Sequence, residues 1–140
     1  WGEFWKTHRI EPLLKSCAHR LGPMRHRVHR LLTTYEVPME GPSIIHGDLW
    51  SGNVLMTEQG AALIDPSVWV GERAVDLAMM RLFGGFATPC WDSYRETLPI
   101  PSEIEEAIPF YQLYYVLVHV YFFGESYLPS VDNILRQYRF

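Results

Sequence analysis

The sequence predicts an α+β fold, mostly helical, with a small β-hairpin near its centre. Three observations predict it. Apolar residues recur at helical spacing through both ends of the chain. Two short apolar runs, Val54 to Met56 and Ala61 to Ile64, bracket a polar turn ending in Gly60. With 48% hydrophobic and 20% charged residues over 140 positions, the chain has the composition of one globular unit able to bury a core.

Trp1, Phe4, Trp5, Ile10, Leu13, Leu14 and Cys17 lie on one helical stripe, so a helix opens the chain. There is no initiator Met, lead or capping residue before it, and further sequence is expected upstream. Gly22 and Pro23 break and restart the helix; Met24, Val28, Leu31, Leu32 and Tyr35 then follow at i, i+4, i+7, i+8 and i+11. Val37 to Ser43 reads as a loop, and Ile44 with Ile45 as a short buried strand. Beyond the hairpin, Pro66 and Gly71 mark a loop, a helix runs from about Val75 to Phe83, and Gly84 and Gly85 stop it. A shorter helix fits Trp91 to Thr97. Pro101, Ser102 and Glu105 have the pattern of a capping box for the longest helix, which carries Ile104, Ile108, Tyr111, Tyr114, Tyr115, Val118 and Phe122 on its core side. Pro109 is expected to kink or restart it, and its aromatic stretch from Phe110 to Phe123 to lie in the core. Val131 to Tyr138 reads as a last amphipathic helix.

Composition excludes several function classes. Twelve Lys and Arg against sixteen Asp and Glu give a net charge of -4, which offers no basic face for nucleic acid; the cluster Arg20, Arg25, Arg27 and Arg30 reads as a solvated helix face. No run reaches the roughly 20 apolar residues of a membrane helix, no signal peptide opens the chain, and a cytoplasmic location is expected. Cys17 and Cys90 share no motif and are expected as free thiols. There is no repeat, low-complexity tract or second domain, and no Cys and His cluster at zinc spacing.

The chemistry concentrates in residues 46–53, His-Gly-Asp-Leu-Trp-Ser-Gly-Asn, and in Asp65, which ends the second run of the hairpin. Ser51 and Gly52 allow a tight loop that turns Asp48 and Asn53 toward one cleft, and the hairpin returns Asp65 beside Asn53. An amide and a carboxylate are hard oxygen ligands that suit magnesium, completed by substrate phosphates. In phosphoryl transfer one carboxylate orients the acceptor hydroxyl while an Asn and a second Asp hold the metal; Asp48, Asn53 and Asp65 fit those three roles in order.

This loop resembles that of the fructosamine kinase family, within the wider aminoglycoside phosphotransferase and protein-kinase-like fold. The likeness continues through Asp65, Pro66, Trp69, Gly71 and Arg73, through Val75 to Met79, and through Leu82 to Phe86, similar to the family's Leu-Phe-Gly-Gly-Phe. Tyr111 to Tyr114 with His119, and Phe123 to Leu128, resemble its later segments. Trp50 and the Phe-Gly-Gly-Phe stretch are the most specific parts, since the wider group shares only the His-Gly-Asp and Asn framework. Ala74 stands where the family usually has Glu, and Ser67 where Ala is usual.

The resemblance implies an ATP- and magnesium-dependent kinase that phosphorylates a sugar hydroxyl of a ketosamine, free or protein-bound, in deglycation. It also implies that these 140 residues are the C-terminal lobe, with the nucleotide-covering loop and phosphate-pairing Lys on an absent N-terminal lobe. Lys6 and Lys15 lie on the opening helix with no Gly-rich strand-turn-strand before them. The isolated lobe is then expected to have little activity and to expose apolar surface that the other lobe would cover.

Each candidate residue has a plainer role beside the functional one. Asp48 as catalytic base competes with a loop cap. Asn53 and Asp65 as magnesium ligands compete with turn formation. His46, following a strand, is expected to brace the loop rather than to react. Trp50 is either a wall for the sugar amine or a core anchor. Arg73 and Asp76 are expected to form a buried supporting pair, and Leu55 and Ile64 an apolar floor beneath the adenine. The competing functions are an aminoglycoside, choline or other small-alcohol kinase, a truncated binding module without catalysis, and a magnesium hydrolase using Asp48 and Asp65.

Overall fold

A computed structural model describes residues 1–138 as helices with two small antiparallel sheets, an α+β arrangement. They form two compact units, residues 1–39 together with the chain from 109 onward, and residues 40–108.

The first unit is helical. Its opening segment is continuous from 2 to 16, as α1 (Gly2–Phe4), a π-helical stretch (Trp5–Ile10) and α2 (Glu11–Ser16). Trp5 and Ile10 are buried at the two ends of the π-helical stretch, and the Trp5 ring meets Tyr111 edge-on at 5.5 Å. After α3 (Ala18–Leu21), Gly22 takes a positive φ and α4 (Met24–Thr34) begins, burying Val28, Leu31 and Leu32 as the spacing predicts. Each such side chain contributes about 1.5–3 kcal/mol by leaving water. Arg20 donates to the carbonyls of Val120 and Tyr121, and Arg27 pairs with Asp132, so two members of the arginine cluster fasten helices together. The last helix, α8 (Leu128–Gln137), starts earlier than expected, with proline in its first turn.

The long helix α7 (Ser102–Phe123) runs uninterrupted through Pro109. The Ser102 hydroxyl donates to Glu103 and the Glu105 carboxylate is engaged by Arg81, so the expected capping box gives way to a tertiary ion pair. The core assignment holds for Phe110, Tyr111, Leu113 and Leu117, whereas Phe122 and Phe123 are exposed.

In the second unit β1 (Ser43–Ile45) pairs antiparallel with β4 (Trp69–Gly71), and β2 (Val54–Thr57) with β3 (Gly60–Leu63). The β2–β3 hairpin matches the expected one to within a residue at each end. Of the two isoleucines expected to be buried on β1, only Ile45 is; Ile44 is 81% exposed because successive strand side chains face opposite ways. Helix α5 (Ala74–Leu82) is buried along nearly its whole length, with Asp76 in its first turn. Helix α6 (Thr88–Thr97) begins three residues before the expected start, again with proline in the first turn.

Candidate functional site

The loop between β1 and β2 is held from beneath by α5. Both carboxylate oxygens of Asp76 are used: Oδ2 accepts the N–H of His46 at 2.7 Å and Oδ1 that of Gly47 at 2.8 Å. Burial pushes the Asp76 pKa above its ordinary value, and the two backbone donors hold it back. Gly47 cannot be replaced without moving backbone: its φ is +82° and a Cβ there would lie 2.1 Å from the Ser67 carbonyl oxygen.

His46 is consumed in the same framework. Its Nδ1 accepts the Asp48 N–H at 3.3 Å, which leaves Nε2 to donate to the Ile64 carbonyl at 2.9 Å, and its own carbonyl accepts from Ser67. With both ring nitrogens directed at backbone, the ring ties the loop to the end of the hairpin.

Asn53 is buried, and its Nδ2 donates to the Asp48 carbonyl at 2.8 Å and to Asp48 Oδ2 at 3.1 Å. Those two bonds fix the amide so that its oxygen is the group left to accept a hydrogen bond or a cation. The Asn53 carbonyl accepts the Ile64 N–H at 3.0 Å, which brings the following residue, Asp65, next to Asn53 in the chain's path. Asp65 is exposed and has φ +51°, the one non-glycine residue with positive φ among those described. That left-handed conformation is uncommon for a side chain and is enriched at ligand-binding turns. Among the described residues no three His, Cys, Asp or Glu side chains converge as a metal cage. An amide oxygen and one carboxylate are nonetheless the donor set of a magnesium that retains waters and takes its other ligands from phosphates.

Trp50 is 41% exposed, so its indole is no core anchor. The ring lies over Gly52, where a Cβ would meet it at 2.2 Å. A third glycine contact comes from Gly85, φ +90°, where a Cβ would fall 2.4 Å from the Ser51 side chain. The Phe-Gly-Gly-Phe stretch thus packs directly on the loop. A cavity of about 530 Å³ opens here, lined by Leu49, Ser51, Val54, Met56, Gly85 and Phe86 among others. Leu55 and Ile64 do not line it. Leu55 pairs with Ala62 across the hairpin, on the face opposite Val54 and Met56.

The expected Arg73–Asp76 pair does not form. Arg73 makes a bidentate contact with Glu40, Nε at 2.7 Å and Nη2 at 2.6 Å, and donates to Tyr94 and to the carbonyls of Leu98 and Pro99. The Glu40 hydrogen bonds raise its pKa further above the ordinary arginine range. Asp76 is left free for the loop because its donors are backbone amides, which sequence spacing does not reveal. Glu72, which drew no expectation, accepts the N–H groups of Glu40 and Gly41. Its signal was a carboxylate beside Arg73 at the end of an apolar run.

The loop thus holds a carboxylate bonded to an oriented amide, and the returning hairpin leads into a second carboxylate. The fructosamine kinase family model matches residues 1–139, and the chain belongs to the fructosamine kinase family. A Thermus thermophilus protein named as a probable ketoamine kinase is 50% identical over 94% of this chain and 50% of its own length. The mouse ketosamine-3-kinase is 30% identical over 97% of this chain and 46% of its own. A crystal structure from Thermobifida fusca, named a "putative fructosamine-3-kinase", superposes with a TM-score of 0.84 at 37% identity, covering 98% of this chain and 50% of that one. The chain thus spans about half the length of the curated relatives it matches.

Proposed function

We propose that the protein containing this chain transfers the γ-phosphoryl group of ATP to a sugar hydroxyl of a ketosamine, a step in removing sugars from glycated amines or proteins. The observation that carries this is the Asn53 amide, bonded to Asp48 and followed across the hairpin by Asp65, in a member of the fructosamine kinase family. The names of the relatives support the substrate class.

In this reading Asp48 accepts a hydrogen bond from the acceptor hydroxyl and aligns that hydroxyl's oxygen for in-line attack on the γ-phosphorus; as the new O–P bond forms, the bond from the γ-phosphorus to the β,γ-bridging oxygen breaks, ADP leaves with the bonding pair, and the hydroxyl proton passes to the carboxylate. The Asn53 amide oxygen and the Asp65 carboxylate would hold magnesium, which when bound neutralises charge on the phosphates. Trp50 would offer an exposed indole face to the sugar amine, and Leu55 and Ile64 an apolar floor to the adenine. His46, Asp76 and Arg73 position these groups without touching substrate. The phosphate-pairing Lys and nucleotide cover would come from the part of the protein corresponding to the rest of its relatives' length.

A panel of acceptors tests the substrate: fructosamine and ribulosamine derivatives, an aminoglycoside and choline, each offered to the full-length protein with magnesium and ATP. Turnover on ketosamines supports the proposal. Turnover confined to the aminoglycoside or choline replaces it with a small-alcohol kinase, and none on any acceptor favours a binding module.

A further inference from the structure

In the helical unit, a cavity of about 400 Å³ lies between α2 and α4. Glu11, Leu14 and Lys15 line it from α2, and Arg25, His26 and His29 from α4. Arg20 and Arg27 spend their guanidinium groups on backbone carbonyls and on Asp132. Lys15, Arg25, His26 and His29, by contrast, make no ion pair or side-chain hydrogen bond with any described residue. Four solvent-exposed, nitrogen-bearing side chains thus rim one hollow without a protein partner among the described residues. Lys15 and Arg25 against Glu11 leave a net charge of +1.

We propose that this cavity binds a small phosphate-bearing anion, either inorganic phosphate or a phosphate monoester, independently of the phosphoryl-transfer chemistry above. Its volume suits a small molecule rather than a polymer. Leu14, buried at its base, gives an ester's organic part an apolar contact. A phosphate monoester is largely dianionic above about pH 6, so its charge is opposite to that of the lining cations.

The imidazole proton–nitrogen NMR signals of His26 and His29 report on the cavity itself and not on a nucleotide site elsewhere. Inorganic phosphate and fructose 6-phosphate, each titrated into the full-length protein against sodium chloride at matched ionic strength, should move both signals saturably. Arg25→Gln should weaken the apparent affinity about tenfold, the loss expected for one charge-assisted hydrogen bond. Lys15→Gln should weaken it as well, with an unchanged circular dichroism spectrum confirming that both variants fold. Equal affinity for the two probes identifies free phosphate as the source, and tighter binding of the ester identifies the organic monoester. Signals that move only as they do with sodium chloride, or an Arg25→Gln variant that titrates like the parent, would overturn the proposal.

Discussion

Asp76 Oδ1 accepts the backbone N–H of Gly47 at 2.8 Å, and its other oxygen takes the neighbouring His46 N–H. A buried helix therefore holds the loop of residues 46–53 in place through one carboxylate. Asp76→Asn keeps the shape but turns an NH₂ donor toward an N–H. The expected loss is about 1–3 kcal/mol of stability, from one buried donor left unsatisfied. Urea unfolding checks this, and kcat should fall while the ATP KM changes less; a variant with parental stability and kcat would remove Asp76 from the account.

Gly84 and Gly85 separate backbone strain from contact. Both have positive φ, but a Cβ at Gly84 meets nothing within 4 Å, whereas one at Gly85 meets Ser51 at 2.4 Å. Gly84→Ala should cost about 1 kcal/mol. Gly85→Ala should cost about 2–4 kcal/mol and depress kcat, because the loop carrying Ser51 and Asp48 must shift to admit the methyl group. Equal effects at the two positions would mean that the Ser51 contact does not hold the loop.

Glu105 predicts an acid limit. Its bidentate hydrogen bonds from Arg81 hold its pKa below the ordinary 4.5, against the opposing effect of burial. A depressed carboxylate pKa gives stability that is present above the unfolded value and is lost as pH falls through the folded one. Thermal midpoints measured downward from pH 5 should therefore fall more steeply in the parent than in Glu105→Gln. Parallel slopes would assign the acid loss to other groups.

Trp50 is 41% exposed and packs over Gly52 rather than in the core, so its removal should leave the fold intact. Trp50→Ala should raise the ketosamine KM about 3- to 10-fold, the range of an aromatic stacking contact, with unfolding shifted by less than about 1 kcal/mol. A large stability loss with unchanged KM would make it structural.

What was legible in the sequence was local. The hairpin from Val54 to Leu63 follows from alternation and its turn, and the helices from their apolar spacing, because those signals reside in adjacent residues. Strand β4 was not legible: three residues in a proline-containing loop become a strand only by pairing with Ser43–Ile45, far back along the chain. The exposure of Ile44 and the partner exchange at Arg73 are of the same kind, set by which face and which distant carboxylate the fold brings near. For the candidate site, the approach of Asn53 to Asp48 was readable from spacing. The positive φ of Asp65 and the orientation of the Asn53 amide were not, since both depend on backbone geometry.

The most direct test of the central claim is ketosamine-dependent ATP turnover by the full-length protein, wild type against Asp48→Ala. The wild type should phosphorylate ketosamines, and kcat should fall about 100-fold or more in the variant, with the fold retained. An Asp48→Ala variant that phosphorylates ketosamines at the wild-type rate would contradict it.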